Sequence, residues 1–279
     1  MKTVYIITPS WLVKKKKDFF DGVKKLEQLG FKVVNRRWVT QIPSTSRKVK
    51  QIHAAFLNRK VEIILAQRGG YSSMKLLPYL DFDLIKKNPK FFAGFSDLSA
   101  MLNAIYERTG LVTLHSPMVL NFSNPTRFTI RSFLNAIHDF PEKNLFKGAT
   151  VKVHKRGIAR GTLKGGNLIT LTALIGTAWE MDTNNCILFL EDVDEKKHAV
   201  DRSLTQWILA GKLSKIKGLV LGDFRGIPDK DIFKILREQV KMSFPVVYCP
   251  YIGHGKKKLT LPVGATVELN TFQKSLTLL

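Results

Sequence analysis

Apolar positions along this chain alternate between short continuous runs and helically spaced stripes. Val4 to Thr8 reads as a strand that ends at Pro9 and Ser10. Phe19, Phe20, Val23, Leu26 and Leu29 then recur at helical spacing, and Gly30 follows as a stop. Val33 and Val34 mark a second strand, and Val49, Ile52, Ala55 and Phe56 a second amphipathic helix. The run Ile63-Ile64-Leu65-Ala66 is short and unbroken, as a strand covered on both faces should be. Phe91-Phe92-Ala93, the stripe Leu98, Met101, Leu102 and Ile105 ending near Gly110, and Leu111-Val112-Thr113-Leu114 continue the alternation. Strand and helix in turn, with short connections, predict a parallel sheet with helices on both faces. Ligands gather beyond the carboxyl ends of such strands. That rule singles out Pro9, Gly69, Ser96 and His115.

Between about Pro141 and Lys164 the pattern changes, becoming rich in Lys, Gly and Thr with no helical stripe. A crossover over 146–165 is predicted, joining one domain over 1–145 to an α/β domain over 166–279. In the second part, Leu168, Leu171, Leu174 and Ile175 read as a helix and Cys186 to Leu190 as a buried strand. Val200, Leu204, Trp207 and Ile208 form a helical stripe. Leu219-Val220-Leu221, then Ile232, Ile235, Leu236 and Val240, then Val246-Val247-Tyr248 repeat strand, helix, strand. Ala265 to Leu269 and Ser275 to Leu279 read as a hairpin.

Composition changes this picture little. With 44% hydrophobic and 24% charged residues over 279 positions, the chain has globular proportions and enough length to bury a core without disulfides. The two cysteines, Cys186 and Cys249, cannot form a disulfide framework, which fits a reducing compartment. No apolar run approaches the roughly 20 residues of a membrane span. The first ten residues look like a buried strand and not a secretory signal. A soluble cytoplasmic protein without a membrane partner is expected.

Charge is the oddity. Forty-five basic residues against 22 acidic ones leave +23. Such an excess invites a nucleic-acid or acidic-membrane reading. The basic residues are dispersed, however, with dense runs only at Lys14 to Lys17 and Lys256 to Lys258. There is no basic tail, zinc-finger spacing or RNP-type aromatic strand, so no nucleic-acid partner is expected.

Four loops carry candidate chemistry. Ser96, in Gly94-Phe95-Ser96-Asp97, stands between an apolar strand and a helix, where a tight turn would lift its hydroxyl above the sheet edge. Leu98 replaces the last glycine of a full G-x-S-x-G elbow, and capping the helix is the competing role for this serine. Arg68-Gly69-Gly70-Tyr71 follows a strand, and its paired glycines let backbone N–H groups approach a ligand or simply make a turn. Glu191 ends the strand Ile187 to Leu190 and opens an acidic cluster with Asp192, Asp194 and Glu195, able to orient a histidine or to remain a plain acidic loop. His254, flanked by Gly253 and Gly255, is either a mobile base or an exposed bystander. His53, His115, His138, His154 and His198 are scattered and match no zinc spacing, so no metal or cofactor is expected. A nucleophile, a base and an orienter for acyl transfer are thus all available.

Taken together, these segments resemble the LD-carboxypeptidase family of serine peptidases nearly end to end. The resemblance rests on Arg68-Gly69-Gly70-Tyr71, Gly94-Phe95-Ser96-Asp97, Phe189-Leu190-Glu191-Asp192, Gly253-His254-Gly255 and Leu261-Pro262-Val263-Gly264, in that order. It implies a flavodoxin-like N-terminal domain, a smaller α/β C-terminal domain and an active site at their interface. It also implies Ser96 as nucleophile, Glu191 and His254 as its partners, and the N–H groups of Gly70 and Asp97 as oxyanion donors. Beside these, Arg68, Tyr71 and His115 are the candidate substrate contacts by their places after apolar runs. The implied substrate is a muropeptide tetrapeptide losing its terminal D-alanine during cell-wall recycling, by an enzyme that is usually a homodimer. A sister branch hydrolyses microcin C-type nucleotides and stacks their base on an aromatic residue, a role for which Trp179 is the candidate here. Two departures border the cleft: Ser72 stands where the family usually has glycine, and Lys256-Lys257-Lys258 where it usually has Pro-Pro-Asn.

Overall fold

The first apolar runs become β1 (Thr3–Ile7), β2 (Lys32–Val34), β3 (Ile63–Ala66), β4 (Phe91–Gly94) and β5 (Thr113–His115) in a computed structural model that describes Met1 to Leu279. The stripes between them become α1 (Lys16–Gln28), α2 (Thr45–Leu57), α3 (Phe82–Lys87) and α4 (Ser99–Thr109). Strand order in this sheet is β2-β1-β3-β4-β5, all parallel, which is the flavodoxin-like order. All four residues of β3 are buried, because helices cover both faces of a central parallel strand. Ser44 caps α2 by accepting from the Arg47 N–H.

Further along come α5 (Arg127–Ile137), β6 (Lys152–Lys155), β7 (Ile158–Asn167), α6 (Leu168–Thr172), β8 (Cys186–Asp192) and α7 (Lys197–Leu209). They are followed by β9 (Gly218–Phe224), α8 (Asp229–Gln239), β10 (Val246–Tyr248), β11 (Leu261–Val263), β12 (Thr266–Asn270) and β13 (Ser275–Leu278). The second sheet runs β13-β12-β7-β8-β9-β10-β6, with β7 to β10 parallel and the outer pairings antiparallel. Strand β8 is buried on both faces, and its side chains alternate between two cores. Ile187 and Phe189 pack into the core shared with the first sheet, whereas Leu188 and Leu190 pack against Leu204, Trp207 and Leu236. By the same alternation, Glu191 continues the face of Phe189 and Asp192 the face of Leu190.

Two expectations need correction. The segment 146–165 is no plain crossover, since it holds β6 and most of β7, and β7 lies between β8 and β12. Its polar composition is that of a strand whose first half is partly exposed and whose Lys164 is buried against Glu107. Nor do the C-terminal residues keep to their own sheet. β11 pairs antiparallel with β5, Leu261 opposite His115, and forms the edge of the first sheet. Pro262 is tolerated there because an edge strand leaves one side unpaired.

No helix is long and apolar enough to cross a membrane. Cys186 and Cys249 are free and buried, and burial pushes both thiols up to about 12. Since the thiolate is the reactive form, an aromatic disulfide reagent should leave both thiols untouched in the folded protein and titrate both after denaturation. Rapid labelling of the native chain would contradict the buried placement.

Candidate active site

At the carboxyl end of β4 the backbone is extended at Phe95 (φ −154°, ψ −169°) and then turns sharply at Ser96, which has φ +67°. A non-glycine residue in that region carries roughly 1–2 kcal/mol of strain. The turn feeds a short 3-10 segment, Ser96 to Leu98, and then α4. Such a strained strand-to-helix turn holds a side chain up at the sheet edge. Ser96 does not cap the helix it precedes: no side-chain cap bond exists at either the 3-10 segment or α4. The capping role is therefore set aside, and the half-buried hydroxyl is left for other work.

Beneath Ser96, the buried Asp97 carboxylate ties three loops together. It accepts from the Ser10 hydroxyl (2.6 Å), the Gly70 N–H (3.0 Å) and the Ser73 N–H (3.2 Å). Burial raises the Asp97 pKa, and these donors pull it back. The Gly70 N–H, expected to be an open oxyanion donor, is therefore engaged by this carboxylate, because a buried charge must collect whatever donors lie in reach. Ser72, the departure from glycine, sits at φ +97°, and its hydroxyl accepts from the buried Lys48 ammonium at 2.9 Å. Lys48 also donates to the Ser10 carbonyl, so the substitution fastens the loop to α2.

Glu191 emerges from β8 fully buried, on the face directed at the first sheet. His254, on the loop after β10, points its Nδ1 at Glu191 Oε2 at 2.8 Å. A carboxylate can only accept, so Nδ1 is the donor of this bond. The His254 ring lies on Phe95, centroids 4.8 Å apart, next to the Ser96 turn. No hydrogen bond joins Ser96 to His254; hydroxyl–imidazole contacts can be long without substrate and tighten when it binds. Asp192, on the opposite face of β8, accepts from Asn167 (3.0 Å) and from the Ile169 N–H (2.9 Å) and so anchors α6.

Ser96 opens on a cavity of about 290 Å³ whose walls include Tyr71, Met74, Asn167, Thr170 and Glu195. Both sheets contribute, since Tyr71 and Met74 follow β3 whereas Asn167 and Thr170 surround the start of α6. Sequence models for the LD-carboxypeptidase N-terminal and C-terminal domains match residues 4–116 and 160–269.

The chain belongs to the LD-carboxypeptidase family.

It is 32% identical over 238 residues to a probable murein peptide carboxypeptidase of Bacillus subtilis, covering 82% of this chain and 75% of that protein. A muramoyltetrapeptide carboxypeptidase from Oxalobacter formigenes has the same fold at a TM-score of 0.85 and 30% identity, over 99% of this chain and 98% of that one. An MccF-like protein from Bacillus anthracis matches at a TM-score of 0.89 and 29% identity, over 100% and 96% of the two chains. Family membership supports a serine-type carboxypeptidase as the reaction class.

The remaining residues expected in the site of this LD-carboxypeptidase family member separate. Tyr71 lines the cavity and is half exposed. Arg68 turns away from it, donating to the Leu12 carbonyl at 3.2 Å with its guanidinium over the Trp11 ring. His115 is buried against Phe95 and Phe189, both of its ring nitrogens lack partners, and it does not line the cavity. Burial holds its pKa down at about 4, keeping it neutral. The Trp179 ring stacks with Phe82 and has the Arg108 guanidinium 4.9 Å from its centroid. Of the three clustered lysines, Lys256 and Lys257 are exposed, but Lys258 is buried. Asp97 as a side chain, Lys48 and Lys258 escaped sequence reading; a charged residue inside an apolar stripe was the only available signal for Lys48.

Proposed function

We propose that this protein removes the terminal D-alanine from muropeptide tetrapeptides, cutting the bond from the L-centre of a diamino acid through an acyl-enzyme on Ser96. The observation that carries this reading is the Glu191–His254 pair, bonded at 2.8 Å, with the imidazole against Phe95 beside the strained Ser96 turn. His254 Nε2 takes the Ser96 proton as the hydroxyl oxygen attacks the scissile carbonyl. Glu191 stabilises the imidazolium that forms. The Asp97 N–H at the turn and the Gly70 N–H, once it leaves the Asp97 carboxylate, hold the developing oxyanion. His254 then protonates the departing amine of D-alanine, and a water activated by the same imidazole releases the tripeptide. The scheme uses no metal or cofactor. It suits a cytoplasmic homodimer acting on recycled cell-wall fragments.

Similarity to the MccF-like protein favours a second reading, hydrolysis of microcin C-type nucleotides. The engagement of the Trp179 ring by Phe82 and by the Arg108 guanidinium speaks against it, as does its absence from the walls of the cavity on which Ser96 opens. Mass spectrometry of the purified protein with a muramoyl tetrapeptide, beside an aminoacyl sulfamoyl adenosine, tests both. Release of D-alanine with the nucleotide left intact is the expected result; cleavage of the nucleotide alone would overturn the muropeptide assignment.

A further inference from the structure

We infer that Lys258 is a positioning residue for the Glu191–His254 pair: its ammonium clamps the His254 loop from inside and serves as counter-charge to the buried Glu191. The inference rests on the proposed roles of Glu191 and His254.

Lys258 Nζ donates to the carbonyl of Gly253 at 3.2 Å and to that of Gly255 at 2.9 Å, the two residues flanking His254. One side chain thus holds both ends of the three-residue segment that presents the imidazole. The ammonium also lies over the Phe95 ring, 4.8 Å from its centroid, and the same ring carries His254. The Lys258 backbone is fixed in turn, its N–H donating to Thr129 Oγ1 at 3.0 Å. Apart from the bond of His254 itself to Glu191, the other fastenings of the loop lie outside residues 253–255: Asp223 N–H to the Ile252 carbonyl, Leu259 N–H to the Tyr251 carbonyl, and Lys257 Nζ to the Tyr251 hydroxyl.

Charge supplies the second argument. Glu191 is fully buried, and its Oε1 has no hydrogen-bond partner. A buried carboxylate with one open oxygen needs a nearby cation. The charged and titratable groups that face the His254 loop are Glu191 of β8, Asp223 of β9 with Arg225 beyond it, His115 of β5, and Lys258 itself. His115 is neutral, so Lys258 and Arg225 are the cations of the set. Burial pushes the Lys258 pKa down to about 8, against the pull of Glu191 and Asp223. The clamp therefore loses its charge in mildly alkaline solution, where an ordinary surface lysine keeps it.

Steady-state kinetics on the tetrapeptide and an NMR titration of the His254 imidazole test the inference with Lys258→Met and Lys258→Arg. Loss of a charged hydrogen-bonding group predicts a kcat lowered roughly 10–100-fold in Lys258→Met, with KM nearly unchanged. Removing a neighbouring cation favours the protonated imidazole, so the acidic limb of activity and the His254 titration should move to higher pH. In the wild type, kcat should fall as pH rises through about 8. Lys258→Arg should recover most of the activity and lose that alkaline limb, because arginine stays charged. Wild-type kcat together with an unshifted His254 titration in Lys258→Met would overturn the inference. If Lys258→Met fails to fold, the arginine variant decides, and an alkaline limb that persists there counts against the clamp. Should the wild type release no D-alanine at all, the functional proposal falls, while the NMR titration still judges Lys258 independently.

Discussion

Ser96→Ala is expected to lower kcat for D-alanine release by on the order of 10⁶-fold, the loss typical when a serine peptidase surrenders its nucleophile. No other hydroxyl has a comparable position, since Ser73 is committed to the Asp97 carbonyl and Ser10 to the Asp97 carboxylate. Folding should be nearly untouched. The Ser96 hydroxyl makes no cap bond, and alanine at φ +67° carries the same backbone strain as serine. Thermal melting beside a product assay separates the two effects. A fluorophosphonate probe should label the wild type on the peptide containing Ser96 and leave the variant unlabelled. Activity retained in a normally melting Ser96→Ala variant would remove the acyl-enzyme scheme.

Gly253→Ala should cause the next largest loss, for a purely geometric reason. A Cβ at Gly253 would lie 2.7 Å from Glu191 Oε2 and 3.0 Å from Glu191 Cβ, while φ there is +112°. Glu191 is buried on every side and cannot retreat, so the loop must lift and draw His254 off its carboxylate. Losing the orienting acid from such a triad costs on the order of 10⁴-fold in kcat. Gly30→Ala is the matched control: φ is +88° and a Cβ there meets nothing within 4 Å. It should pay the left-handed strain, about 1–2 kcal/mol, as a lower melting temperature with full activity. If both variants retain activity equally, the contact between the glycine and Glu191 does not govern the site.

The parts of the fold legible in the sequence are those whose burial repeats locally. Strands β1, β3, β4 and β8 were readable as apolar runs, and α1, α2 and α4 as stripes, because each buries a continuous face set by its own periodicity. Strand β7 was not, since half of it is partly exposed and Lys164 in its interior is satisfied by Glu107, 57 positions away in the chain. β11 was hidden for another reason: three residues including a proline form a strand only because β5 offers an unpaired edge.

The candidate site divides in the same way. From the sequence alone came the positions of Ser96, Glu191 and His254 at strand ends, since turn residues after apolar runs mark a sheet's carboxyl edge whatever lies across from it. What the tertiary structure alone decided was the company each keeps: Glu191 on His254, Gly70 on the Asp97 carboxylate, Arg68 on Trp11, and Lys258 inward where its neighbours Lys256 and Lys257 face water. Local periodicity records how much of a side chain is buried, but a partner is chosen by distance and charge in three dimensions. Residues such as Lys258 find theirs only after separate segments have closed around them.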